Sequence, residues 1–390
     1  MLKTSIHSKY GLIGEDLELK KNIEIAIEES GKISNLSYDN IRKDVSISIK
    51  KPTYLLIPGL INSHVHICDS FAKERGFNKN LVEVVAPPNG IKHKLLESIS
   101  KEIQIQGIKE AVSDMLANGI TLFVDFRENG LFGVNLLRDA LETSPINYQV
   151  LGRYKQPEDA ELIFRNAEGL GFASYDQLSP SNKEQIKGLK KEYNGKIIAC
   201  HDAELSRNEQ LFNDIIRDRL IDVIIHGTHY TKEDLIRIKE NSLSLVLCPR
   251  CNGYFGSGFP PINDIYNLDI PISLGTDNIM ANNVDLFEEM RYLYRIYRVL
   301  ASNKDKRNLT SKNLLKMITI NAAKNIGLDK DFGSISKGKY ADFSLINLSD
   351  SNYYCYQIDY ENLYNVIVQR TRAENIKKTY IKGELVYERK

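Results

Sequence analysis

Short runs of apolar, largely β-branched residues recur along the chain, separated by polar turns and by longer stretches with helical spacing. The runs occupy 54–61, 120–126, 148–154, 170–175, 196–200, 222–226, 243–248 and 270–274. They are continuously apolar rather than alternating, as strands covered on both faces should be. Between them, Leu95, Ile99, Ile103, Ile108, Val112, Met115 and Leu116 trace one helical stripe, and 235–240 a shorter one. Eight strands alternating with helices predict a parallel sheet, because parallel neighbours need a helical crossover. Eight is also the number that closes into a barrel filled by its own side chains. The expected fold is α/β, a (β/α)8 TIM-like barrel.

The two ends follow another pattern. Short alternating segments stand at 17–19, 23–27 and 45–49, and again at 341–347 and 378–387. Both sets read as antiparallel strands. Their simplest arrangement joins the ends into one small β-sandwich domain, 1–54 with 330–390, beside a barrel of 55–329.

Ionisable residues collect where the central strands end. The first strand closes with His64-Val65-His66, and side chains two apart on a strand point the same way. Two imidazoles so placed make a metal clamp. The fifth strand ends in Cys200-His201 with Glu204 just beyond, the sixth in His226 with His229 beyond, and the eighth in Asp277-Asn278. In such a barrel the C-terminal strand ends form the rim where active sites sit. The chain has 7 histidines, and His64, His66, His201, His226 and His229 all fall on that rim. A lone histidine at a strand end is usually structural; this clustering, in order with Asp277, points to a metal site.

Composition narrows the partners. With 52 Lys and Arg against 51 Asp and Glu the net charge is +1, which argues against a nucleic-acid binder. No apolar run approaches the ~18 residues needed to span a bilayer, and the first residues carry no secretory h-region. Five cysteines, odd in number and sparse, make no disulfide framework. The expectation is a cytoplasmic protein with a small-molecule substrate and no membrane partner. The 286–300 segment, with Phe287, Tyr292, Tyr294 and Tyr297, offers a face for self-association into a homo-oligomer.

These residues carry a resemblance. Pro58-Gly-Leu-Ile-Asn-Ser-His-Val-His, His201-x-x-Glu204, His226-Gly-Thr-His, Cys248-Pro-Arg-Cys-Asn, Leu274-Gly-Thr-Asp and Gly333-Ser-Ile-Ser-Lys-Gly-Lys-Tyr-Ala-Asp-Phe stand in collinear order. Together they resemble the amidohydrolase superfamily, in its branch of mononuclear deaminases and chlorohydrolases related to cytosine, guanine and S-adenosylhomocysteine deaminases. The resemblance implies one divalent ion, Zn2+ or alternatively Fe2+, held by His64, His66, His201 and Asp277. It implies Glu204 as proton carrier, His226 as hydrogen-bond partner of the attacked oxygen or the water, and Asp277 as a second participant in proton transfer. His229 is expected to be structural or to support the site from behind. The implied reaction replaces an exocyclic amino group on a purine, pyrimidine, pterin or related ring by oxygen and releases ammonia. Hydrolysis of a cyclic amide, as by imidazolonepropionase, or of a chloro-heterocycle is the alternative on the same site. A catalytically dead relative is disfavoured because all these residues are present.

Other signals separate this reading from its neighbours. Binuclear relatives carry a carboxylated lysine at the end of the fourth strand, and 169–175 contains no lysine; Lys155, after the third strand, reads as a loop residue. Cys248-x-x-Cys251 lacks a second pair for a zinc site, and Cys68 and Cys200 read as packing residues. The His-x-Glu with Pro-Cys-x-x-Cys pattern of the unrelated zinc deaminases is missing. For the substrate, the candidates are Arg127, Glu128, Arg153, His93 and Asn278, with Arg250 on the same rim. Guanidiniums there would clamp an anionic group or else brace loops. The long first loop, 69–94, is placed to cover the site. Its Glu83-Val-Val-Ala-Pro-Pro-Asn-Gly-Ile-Lys-His departs from the related deaminases.

Overall fold

The computed structural model describes residues 2–42, 47, 49, 52–154, 159–301, 309–355 and 358–390. The strand expected at 45–49 lies largely outside these residues, and Lys155 does so entirely. Eight parallel strands lie side by side in chain order: Leu60–His66, Ile120–Arg127, Asn147–Gly152, Gly169–Phe172, Ile197–Asp202, Val223–His226, Ser244–Leu247 and Ile272–Leu274. The chain after the eighth continues into Asp277–Asn278, which pairs back onto the first strand, Asp277 with Val65 and Asn278 with His66. That last pairing closes the sheet, and Asp277 thereby reaches the two histidines of the first strand. It requires close backbone approach: a Cβ on Gly275 would stand 2.7 Å from the Cβ of His64. Every residue of the first two strands is buried, the polar Asn62, Ser63, His64, His66, Asp125 and Arg127 included.

The chain ends build one seven-stranded sheet. From edge to edge its strands are Glu384–Glu388, Ile376–Ile381, Phe343–Asn347, Tyr54–Pro58, Leu2–Ile13, Glu18–Glu28 and Ile33–Asn40. Tyr54–Pro58, expected to begin the first barrel strand, pairs with Phe343–Asn347 in this sheet instead, and the barrel strand starts at Leu60. The physical reason is alternation. Leu56 joins the sheet's own apolar cluster with Ile25, Phe343 and Leu345, whereas Leu55 and Ile57 face the main core. The sheet curls round that cluster, so that Glu384 of one edge strand pairs with Lys3 of the interior strand Leu2–Ile13 at 2.6 Å and Gly383 lies against Ile27.

Two helical expectations change. The stripe from Leu95 to Leu116 divides into Ile91–Ser98 and Lys101–Ala117, because the Ser100 hydroxyl caps the second helix and Gln104 donates to the Leu96 and Ile99 carbonyls. Ile103, placed on the buried stripe, is half exposed at 51 %. On Leu286–Leu300, Phe287 and Tyr297 are buried with Met290, Leu293 and Ile296, so much of the aromatic face offered for self-association is core. A helix at Tyr360–Arg370 packs against it and ties the C-terminal segment to the barrel. Among the described residues no helix is long and apolar enough to cross a membrane.

Candidate active site

The barrel strands deliver His64, His66, Glu128, Arg153, His201, His226 and Asp277 to the same rim. His66 Nδ1 lies 3.1 Å from the Phe126 carbonyl and 2.9 Å from Glu128 Oε1, and His201 Nδ1 lies 2.8 Å from the Phe172 carbonyl. These acceptors hold the ring proton on Nδ1 and turn the lone pair of Nε2 inward. Inside, His201 Nε2 stands 3.3 Å from His64 Nε2. Asp277 Oδ1 is 3.2 Å from His64 Nε2 and 3.5 Å from His66 Nε2. Burial pushes His66 down to about 3, assisted by the Lys92 charge. Burial and the neighbouring imidazoles push His201 well below the usual range. His64 Nε2, His66 Nε2, His201 Nε2 and Asp277 Oδ1 thus converge on one point, and three imidazoles with one carboxylate leave a position open for water. The donor set therefore fits one divalent ion.

A second group stands beside the first. His226 Nε2 is 3.4 Å from Glu204 Oε2 and 3.9 Å from Asp277 Oδ2. Asn252 Nδ2 donates to His226 Nδ1 at 3.2 Å, which keeps the His226 proton on Nε2, toward the carboxylates. Burial pushes His226 down to about 4. Burial, and then the charge of Asp277, push the Glu204 carboxyl well above its usual range. For Asp277 burial also acts upward, but its hydrogen bond with His64 and the surrounding imidazoles outweigh it and hold the carboxyl low. Two neighbouring carboxyls driven in opposite directions are suited to different proton-transfer roles. His226 and Asp277 occupy the left-handed backbone region, with φ of 74° and 60°. Such conformations persist in non-glycine residues where the surrounding fold enforces them.

The cavity above these groups has a volume of about 200 Å³ and is lined by His66, Lys92, His93, Glu128, Arg153, His201, Glu204, His226, Asp277 and Asn278. Its other wall is apolar, built by Leu81, Val82, Val85, Ala86 and Pro87 of the first loop and by Leu205. The expectation that this loop covers the site agrees with that lining.

The substrate candidates separate. Arg153, His93, Glu128 and Asn278 line the cavity, but Arg127 does not. The Arg127 side chain is fully buried behind the rim, 3.0 Å from Glu128 Oε2 and 3.5 Å from Asp125 Oδ2, so it braces the second strand and cannot meet a substrate. Arg250 is likewise spent on Glu288 and Glu289. His93 Nε2 bonds the Val85 carbonyl at 3.0 Å within the loop. His229 Nε2 bonds the Ser257 carbonyl at 2.7 Å, away from the cavity. The five cysteines are free, and Cys248 Sγ lies within 4.8 Å of ligand atoms of His64 and Asp277.

Lys92 was missed. It was read only as part of a divergent loop, yet it is buried and lies 2.6 Å from Glu128 Oε1, 3.1 Å from Asn278 Oδ1 and 3.7 Å from Asp69 Oδ2. The available signal was its i,i+4 spacing from Leu96, which puts both on the inner face of the helix Ile91–Ser98.

Comparison with known proteins agrees with this architecture. An uncharacterised protein of Methanocaldococcus jannaschii is 35 % identical over 354 residues, covering 86 % of this chain and 88 % of that one. A 5-methylthioadenosine/S-adenosylhomocysteine deaminase of Saccharophagus degradans is 28 % identical, covering 79 % and 74 %. The crystal structure of an adenosine deaminase from Xanthomonas campestris with bound zinc superposes with a TM-score of 0.78 at 19 % identity, covering 98 % of this chain and 92 % of that one. The sequence profile of the amidohydrolase family matches residues 55–386, and the chain belongs to that family.

Proposed function

We propose that the protein is a metal-dependent hydrolytic deaminase that replaces the exocyclic amino group of a nitrogen heterocycle by oxygen and releases ammonia. The observation that carries this reading is the convergence of His64, His66, His201 and Asp277 directly beside the Glu204–His226 pair, under one cavity. The deaminase names of the related proteins support it. When bound, a divalent cation supplies Lewis-acid activation of water. His64, His66, His201 and Asp277 would hold it; zinc is favoured over iron(II) because the Xanthomonas structure contains zinc.

The remaining residues supply proton handling and position. Glu204 takes a proton from the attacking water and delivers it to the ring nitrogen next to the reacting carbon. Its raised affinity for protons suits a group that must hold one between the two transfers. His226 donates from Nε2 to the oxygen that develops charge, and Asp277 Oδ2, turned toward His226, assists transfer to the departing amine. The apolar wall of the first loop takes the face of the flat ring. In this reading the chain divides into the barrel at 55–329 and a β-sandwich domain made from 1–54 and 330–390.

The test is metal analysis of the purified protein followed by an ammonia-release screen over purines, pyrimidines, pterins and their nucleosides. Release of ammonia with one new ring oxygen in the product is expected. Turnover of a cyclic amide or a chloro-heterocycle without ammonia would replace this reading by hydrolysis of another bond on the same site.

A further inference from the structure

The position of Lys92 narrows the substrate beyond the deaminase reading, on which this inference rests. Lys92 comes from the first loop rather than from a barrel strand, and its side chain is 3 % exposed. Its ammonium donates to Asn278 Oδ1 at 3.1 Å, after the eighth strand, and forms an ion pair with Glu128 Oε1 at 2.6 Å, after the second. The next oxygen, Asp69 Oδ2, stands at 3.7 Å, beyond hydrogen-bonding distance. The ammonium lines the cavity together with His66, Asp277 and Glu204.

An ammonium is a donor only, and a buried donor proton without an acceptor is costly. The walls offer little competition for it. Leu81, Val82, Val85 and Leu205 carry no side-chain acceptor, and Glu204 and His226 belong to the reacting carbon and its nitrogen. We propose that Lys92 is the specificity-determining residue of this site. It donates to an exocyclic oxygen on the substrate ring, so that the chain acts on amino-oxo heterocycles in preference to amino rings that lack the oxygen. A ring presenting C–H at that place would displace water from a charged group without replacing its bond. Glu128 and Asn278, each on a different strand end, hold the ammonium in place before the ring arrives, so little ordering is left to occur on binding.

Matched pairs differing only in that oxygen test the proposal: cytosine against 4-aminopyrimidine, and isoguanine against adenine, with their nucleosides. On the metal-loaded protein the oxo member is expected to be favoured by roughly 10²-fold in kcat/KM, the size of a hydrogen bond to a charged group. In Lys92→Met that preference should fall to within a few-fold of one, with the loss expressed mainly in KM and the metal content of the protein kept. Lys92→Gln, which restores a neutral donor, should recover part of the preference. Equal turnover of both members by the unmutated protein would overturn the proposal, and that comparison decides it even where Lys92→Met does not fold. Loss of both members in equal proportion, or loss of metal, would assign Lys92 a purely structural role. Calorimetry with uracil against 4-pyrimidinone separates this inference from the deaminase reading. Selective binding of uracil that Lys92→Met abolishes, with no ammonia from any pair, keeps Lys92 and rejects deamination. Ammonia release without oxygen preference does the reverse.

Discussion

Glu204→Gln isolates proton transfer from everything else at the site. Gln has nearly the same volume, so the packing of a residue lying between His226 and the cavity is kept. Glu204 Oε2 is 3.4 Å from His226 Nε2, and Oε1 has no hydrogen-bond partner among the described residues, so the substitution breaks no close bond there. The four residues proposed to hold the metal do not include it, and metal content should be unchanged. What is lost is the exchangeable proton. A positioned general acid–base contributes ~10² to 10⁴ in rate, or about 3 to 5 kcal/mol of barrier. The residual route through Asp277 Oδ2, which is 3.9 Å from His226, keeps the loss from being total. Stability should move the other way. The folded-state pKa of Glu204 is raised by burial and by Asp277, so ionised Glu204 costs stability, and the cost grows as pH rises through and above the usual carboxyl range. In metal-stripped protein at neutral pH, Glu204→Gln should therefore melt higher than the unmutated chain. The assays are ammonia release, metal analysis by mass spectrometry and a thermal melt on the stripped protein. Turnover within ten-fold of the unmutated protein, with metal bound, would refute the proton role. A lower melting temperature at neutral pH would refute the electrostatic account.

His201→Ala removes one of four converging donors, and metal analysis should show occupancy falling well below one ion per chain, with activity falling in parallel. Arg127→Met should leave Asp125 without its buried charge partner, and Glu128 with Lys92 alone, and cost about 3 to 5 kcal/mol in urea unfolding. Burial pushes Asp342 up to about 7 from its usual 3.8, so its ionised form destabilises the fold increasingly between those pH values. Asp342→Asn should accordingly flatten the loss of stability between pH 4 and 8, a difference on the order of 4 kcal/mol that denaturant titrations at both pH values would measure.

The barrel was legible because most residues of its strands are buried and apolar, and because polar residues follow most of the strands at one rim. Period-two alternation was enough to put His64 and His66 on one side. It could not place Tyr54–Pro58. That run is as apolar as a barrel strand, but its two faces meet two different cores, a fact about neighbours far along the chain. Arg127 and Arg153 looked equivalent, one at the end of the second strand and one just past the third. Only the packing sends the first behind the rim to Asp125 and Glu128 and the second into the cavity.

Alone, the sequence determined the alternation of strand and helix and the family, and it pointed to the His and Asp residues proposed to hold a metal, because strand periodicity and ligand chemistry are local properties. Which charged residue meets the substrate was decided by the tertiary structure. Lys92 becomes a cavity group only when a helix of the first loop folds across the barrel mouth and Glu128 and Asn278, 150 residues apart in the chain, close on its ammonium. No local pattern records that meeting, since a lysine on an amphipathic helix ordinarily points to water.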